Sequence, residues 1–160
     1  MSAFAPRICL VGFSSGGTLS LRLAADRPER LVGVAAISVP MRFRDRNMIF
    51  VPLLHGANQL VRWVSPFEGI MAFQPKDSEH PHINYRNVPI RGLYDLRRMV
   101  EELEERLADV QCPVTLIQGS DDPIVEPASA KLIYERLGTS QKNLVTVPST
   151  RHGILYEDIG

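Results

Sequence analysis

The chain has 160 residues, of which 44% are hydrophobic, enough apolar material for one globular core. Its 18 lysines and arginines are balanced by 18 aspartates and glutamates, for a net charge of zero, so there is no electrostatic footprint for nucleic acid or an acidic lipid surface. No apolar stretch approaches the length of a membrane span.

The first residues, Met1-Ser2-Ala3-Phe4-Ala5-Pro6, lack the long apolar segment of a secretory leader, and a cytoplasmic location is expected. The first apolar run is Ile8-Cys9-Leu10-Val11, followed by Gly12-Phe13-Ser14-Ser15-Gly16 and then a helix-like stretch from Thr18 to Arg27. This reads as a strand, a sharp turn with Ser14 at its apex, and a helix. The spacing matches what a serine nucleophile requires: a strained turn exposes the hydroxyl, and small residues two positions to either side let strand and helix pass closely. The helix carries Leu19, Leu21, Leu23, Ala24 and Ala25 on more than one face, as expected of a helix packed inside a fold, and Pro28 stops it. Leu31 to Ile37 is a nearly unbroken apolar strand, which suits a parallel sheet covered on both faces.

From Pro40 to about Ile90 the pattern breaks down. Met48-Ile49-Phe50-Val51, Leu53-Leu54 and Leu60 to Val64 lie among prolines and read as short helices rather than sheet. The expected organisation is a core of residues 1–39 and 91–160 interrupted by an insertion, 40–90. Gly92 to Gln111 is an amphipathic helix, with Leu93, Leu96, Val100, Leu103, Leu107 and Val110 on one face and oppositely charged residues one turn apart on the other. The run Glu101-Glu102-Leu103-Glu104-Glu105 is then a solvated helix face.

Two further β-branched runs close the chain. Val114 to Gly119 leads into Ser120-Asp121-Asp122-Pro123, and Leu144 to Val147 leads into Pro148-Ser149-Thr150-Arg151-His152-Gly153. An acid and a histidine each follow the carboxyl end of a strand, the edge of an open parallel sheet where catalytic groups converge. The chain order serine, aspartate, histidine is that of one class of hydrolases and differs from the orders of the chymotrypsin and subtilisin folds.

On these residues the chain resembles the α/β-hydrolase superfamily, in particular bacterial carboxylesterases and monoacylglycerol lipases. The resemblance rests on Gly12 to Gly17, Arg27-Pro28-Glu29-Arg30-Leu31, Gly119-Ser120-Asp121-Asp122-Pro123-Ile124-Val125 with Ser129-Ala130, and His152. It implies a partial α/β-hydrolase fold, a mainly parallel sheet with flanking helices, in which 40–90 forms a helical cap. It also implies a triad of Ser14, Asp122 and His152, with Asp121 as the alternative acid, and the backbone N–H of Ser15 as one oxyanion donor. The family's second donor comes from a loop after an earlier strand, which this sequence does not contain. Against that pattern the chain is expected to be a portion of the fold. The elbow strand, Ile8 to Val11, would then be an edge open to self-association.

The activity implied is cleavage of a small carboxylic ester through an acyl-enzyme, without cofactor or metal. The alternatives are a thioesterase or amidase with the same triad, and a non-catalytic or partner-dependent fragment. Other motifs carry less. Gly12 to Thr18 lacks the lysine of a phosphate-binding loop. His80-Pro81-His82 has no ligand cluster beside it in sequence, and His55 is unremarkable. Arg42, Arg44 and Arg46 read as surface. Cys9 and Cys112 read as buried or half-buried thiols in a reducing compartment.

Overall fold

The computed structural model describes residues 6–64, 71, 73–75 and 87–156. The chain divides into two compact units, Met1–Arg44 with Met99–Gly160, and Asp45–Arg98.

The first unit is built on four parallel strands: β1 (Ile8–Phe13), β2 (Leu31–Ile37), and two later strands that follow the second unit in sequence. Those two are β5 (Val114–Gly119) and β6 (Lys142–Val147), and the spatial order is β1-β2-β5-β6. Helix α1 (Ser15–Ala25) links β1 to β2, and α4 (Ala128–Arg136) links β5 to β6. This is the strand-helix-strand alternation anticipated from the apolar runs, and it places the carboxyl ends of all four strands along one edge. Among the described residues β1 hydrogen-bonds to β2 alone, so its outer edge is open, and no charge or proline lies within it.

The two faces of the sheet differ. Gly12 faces α1, since a side chain there would meet Gly16 and Ser20. On that side Val34, Ala36, Val114 and Leu116 are buried. The register places Cys9, Val11, Gly33, Ala35, Thr115 and Asn143 on the opposite side, where Cys9 and Val11 are exposed. A depression of about 380 Å³ lined by Cys9, Gly33, Ala35, Thr115 and Asn143 lies there. Coverage of both faces, expected from the unbroken apolar run, is thus not found among the described residues. Two smaller expectations are corrected as well. Cys9 is exposed rather than buried. Helix α1 buries only one face, with Leu21, Ala24 and Ala25 inside while Leu19 and Leu23 face outward. Cys112 is half-buried, and burial pushes its thiol above the ordinary range.

The second unit opens with a 3-10 turn, Arg46–Phe50, capped by the Asp45 side chain on the Asn47 N–H at 2.8 Å. Helix α2 (Val51–Val64) follows, then an antiparallel pair, β3 (Phe73–Pro75) with β4 (Asn87–Pro89). The expectation of helices alone from 40 to 90 is therefore corrected. Strands of three residues are too short to show a period of two, and prolines at their ends do not forbid an edge position. Within this unit Asn58 is buried and clamps Met71, donating to its carbonyl at 2.7 Å and accepting from its N–H at 3.2 Å, and His55 stacks on Tyr94 at 4.2 Å. His80 and His82 lie outside the described residues.

Helix α3 (Ile90–Arg106) starts two residues earlier than its amphipathic pattern predicts and ends before the expected Gln111, tightening into a 3-10 turn over Leu107–Asp109. Its carboxyl-terminal half buries Val100 and Leu103, and the turn buries Leu107. Arg106 ties this end to α1 by donating to Asp26 at 2.7 Å and to the Ala25 carbonyl at 3.0 Å. Among the described residues no helix is long and apolar enough to cross a membrane.

The contact between β1 and α1 sets a sharp requirement at Gly12. A Cβ there would fall well inside contact distance of the Gly16 carbonyl, a backbone group that cannot rotate away. Gly12→Ala is expected to destabilise the chain by about 3 kcal/mol, read as a lowered urea midpoint.

Candidate active site

Three of the four strand ends meet at one place. Ser14 joins β1 to α1 with φ 52° and ψ −122°, in the left-handed half of the backbone map, where a non-glycine residue is strained by about 1–3 kcal/mol. The turn is held on both sides: the Ser14 N–H donates to the Ile37 carbonyl at the end of β2 (2.8 Å), and the Ser14 carbonyl accepts from the N–H groups of Gly17 (2.9 Å) and Thr18 (3.1 Å). The close packing that permits this comes from Gly12 and Gly17. A Cβ on Gly17 would lie 2.7 Å from the Val39 Cγ2, whereas one on Gly16 would meet nothing within 4 Å. The second glycine of the motif is therefore not the one the packing demands. Ser15 is the first residue of α1, and its N–H belongs to the leading group for which a helix has no internal acceptor.

The acid comes from the loop after β5. Asp122 has no solvent exposure. Its Oδ1 accepts from the backbone N–H of Ile124 at 2.8 Å and of Val125 at 2.9 Å, and its Oδ2 lies 2.7 Å from the His152 Nδ1 and 3.3 Å from the Gln118 Nε2. Burial pushes this carboxyl up, but the hydrogen bonds from His152, Val125 and Ile124 outweigh it and hold it below the ordinary aspartate value. Asp121, its neighbour, is turned outward and pairs with Arg44 at 2.6 Å. The two aspartates left open by the sequence are thus separated by their surroundings, and only Asp122 reaches the histidine.

The loop is fastened from outside by residues 42–44. Phe43 bridges Val125 in antiparallel fashion, the Arg44 N–H donates to the Ile124 carbonyl at 3.0 Å, and the Glu126 N–H donates to the Arg42 carbonyl at 2.9 Å. Ser129, buried, accepts from the Arg42 N–H at 2.9 Å. The Arg42 guanidinium forks onto Glu104 at 3.1 and 3.0 Å, and Arg136 joins the same carboxylate at 2.8 Å. Arg42 and Arg44, read from sequence as surface, are exposed and also act as fasteners. That role had no signal in the sequence, because their partners lie 62 and 77 residues away.

His152 follows β6. Its backbone carbonyl accepts from the hydroxyl of buried Ser38 at 3.4 Å and from the Ile154 N–H at 3.0 Å, and its ring lies 5.0 Å from that of Phe13. The Nε2 is 2.9 Å from the Ser14 Oγ. An ionised carboxylate can only accept, so Nδ1 carries the proton shared with Asp122, and Nε2 presents its lone pair to the Ser14 hydroxyl. The structure thus brings Ser14, His152 and Asp122 into one hydrogen-bonded line, with Ser15 adjacent. His55 belongs to the second unit. Among the described residues no cluster of three or more histidine, cysteine, aspartate or glutamate side chains is placed to hold a metal ion.

The profile of the family described as "Serine aminopeptidase, S33" matches residues 3–159. The chain belongs to this serine aminopeptidase family. Among curated proteins this chain is similar to the thermostable monoacylglycerol lipase of Bacillus sp. (strain H-257), 24% identical over 91% of this chain and 54% of that protein. It is also similar to a carboxylesterase of Bacillus subtilis (strain 168), 23% identical over 94% of this chain and 57% of that protein. It spans about half the length of these curated relatives. Its fold is that of solved α/β-hydrolase lipases. One is the Paleococcus ferrophilus monoacylglycerol lipase, with a TM-score of 0.74 and 19% identity over 99% of this chain and 65% of that one. Another is a metagenome-derived lipolytic enzyme, with a TM-score of 0.76 and 23% identity over 94% and 59%.

Two outcomes follow from this geometry. Ser14→Gly removes the cost of the left-handed backbone, and the variant is expected to be more stable than the parent by about 1 kcal/mol, read as a higher urea midpoint. The depressed Asp122 carboxyl contributes stability that is complete above the ordinary aspartate value of about 4 and is lost as pH falls through its lower folded-state value. Urea midpoints measured downward from pH 5 are therefore expected to fall more steeply for the parent than for Asp122→Asn.

Proposed function

We propose that this chain carries the nucleophile, base and acid of a serine hydrolase acting on small carboxylic esters, of short to medium acyl chain or monoacylglycerol type. The observation that carries the reading is the unbroken line from the Ser14 Oγ through the His152 ring to Asp122, at 2.9 and 2.7 Å. The ester preference draws on the lipase and carboxylesterase names of the relatives.

In this reading the Ser14 oxygen attacks the ester carbonyl carbon while its proton passes to the His152 Nε2. Asp122 keeps the proton on Nδ1 and stabilises the imidazolium that forms. The proton is then delivered to the departing alcohol, leaving an acyl group on Ser14. Water attacks that acyl group with the same base, releasing the acid and restoring the serine. Charge that develops on the carbonyl oxygen is met by the Ser15 N–H at the start of α1. The positive φ at Ser14 serves this chemistry by lifting the hydroxyl clear of both strand and helix.

A second reading, hydrolysis of amides, has support in the family description, which names an aminopeptidase. The two differ in the leaving group, and comparing a short-chain aryl ester with an aminoacyl anilide separates them: a higher kcat/KM on the anilide would replace the first reading by the second.

A fluorophosphonate probe is expected to label Ser14 and to leave Ser14→Ala unlabelled; modification at Ser15 or Ser149 instead would overturn the assignment. Asp122→Asn is expected to lower turnover by about 10⁴, because the histidine then takes the wrong tautomer, whereas Asp121→Asn, which loses only an exposed ion pair with Arg44, is expected to cost less than about tenfold.

A further inference from the structure

Gln118 is the second-to-last residue of β5 and shares its inward face with Val114 and Leu116. The three are 2%, 2% and 1% exposed, so an apolar side chain of the same length would fit that face without leaving polar atoms to satisfy. Instead the amide nitrogen of Gln118 donates to the Asp122 Oδ2 at 3.3 Å and to the Gly119 carbonyl at 3.4 Å. The opposite amide orientation would set an oxygen against a carboxylate and a carbonyl, so the chemistry of its neighbours fixes which end points inward. The consequence is that the Gln118 Oε1 is buried with no hydrogen-bond partner among the described residues. A buried acceptor left unpaired is a cost that folding alone does not require here.

We propose that Gln118 is a positioning residue for the line formed by Ser14, His152 and Asp122, an inference that rests on the hydrolase reading. Its amide completes the donor set of the Asp122 carboxylate. Oδ1 is fixed by two backbone N–H groups, while Oδ2, the oxygen that faces His152, would otherwise be held by the histidine alone. With Gln118 in place, Oδ2 cannot rotate away from Nδ1 when the imidazole moves toward Ser14 or the substrate. Gln118 itself touches no reacting atom. Asp121 and Arg44 are paired with each other on the outer side of the loop.

Gln118→Met keeps the length and shape of the side chain and removes both the amide donor and the unpaired oxygen. Its melting temperature is expected to equal or exceed that of the parent, while the rate of fluorophosphonate labelling at Ser14 falls about tenfold, the scale of one hydrogen bond to a charged group. Gln118→Glu, which sets a second carboxyl against Asp122, is expected to label more slowly still. A residue that merely packs would lower the melting temperature and leave the labelling of the folded protein unchanged.

The low-field proton resonance of the His152 Nδ1–H reports the bond to Asp122 without any turnover, and it is expected to weaken or move upfield in Gln118→Met. Labelling within about twofold of the parent together with an unchanged resonance would overturn the proposal, as would absence of the resonance from the parent. A parent that shows the resonance but is not labelled would remove the hydrolase reading alone, and the resonance in Gln118→Met would then decide the role of Gln118 by itself.

Discussion

An ionised carboxylate without solvent exposure must be given donors by the protein, and satisfying Asp122 organises much of the first unit. Its oxygens draw on three sources: the N–H groups of its own loop, the ring of His152 beyond β6, and the amide of Gln118 at the end of β5. The loop turns inward sharply enough to present the Ile124 and Val125 N–H groups because residues 42–44 hold it from outside through backbone bonds. Remove that fastening and the carboxylate loses the geometry that keeps it charged.

The parallel sheet supplies the rest of the precision. Strands β1, β5 and β6 run in the same direction, so serine, acid and histidine arrive at one edge although 138 residues separate Ser14 from His152. Bonds between adjacent strand ends lock these loops together: the Ser14 N–H to the Ile37 carbonyl, the Ser38 N–H to the Ile117 carbonyl, and the Ser120 N–H to the Val147 carbonyl, all at 2.8 or 2.9 Å. Each is an extension of the sheet ladder by one residue beyond the strand. Ser14, Asp122 and His152 therefore follow strand ends that are tied to one another, and the strain at Ser14 is sustained by this surrounding order.

The second unit, Asp45–Arg98, is organised differently. Its long helix α2 exposes Leu53, Leu60 and Trp63, and its internal ties are polar, with Asn58 on Met71 and His55 stacked on Tyr94. A depression of about 230 Å³ within it is lined by His55, Asn58, Gln59, Phe73 and two arginines, Arg62 and Arg91. Short strands and side-chain-to-backbone clamps of this kind leave little regular pattern to read, which is why this region gave the weakest expectation of its architecture.

The apolar runs, the Gly12 to Gly17 segment and the order of Ser14, the aspartates and His152 were determined by the sequence alone, because β-strands and a strand-turn-helix motif are local and show in composition and spacing. Composition and spacing leave Asp121 and Asp122 as alternatives and the resemblance names Asp122; it is the turn of the loop, set by bonds to Arg42 and Arg44, that sends Asp122 to the histidine. The glycine that packing demands beside Gly12 is Gly17 and not Gly16, a matter of where Val39 lies. Likewise Leu19, Leu23, Val11 and Cys9 carry no mark in sequence to distinguish them from core residues, yet the first two lie on the outer face of α1 and the other two on a sheet face left uncovered among the described residues. Gln118 stands in a strand that reads as ordinary core, and its polarity acquires meaning only because the fold places a buried carboxylate 3.3 Å from its amide. Local pattern determines what an element is; the side chains it meets are decided by contacts distant in sequence, and those exist only once the chain has folded.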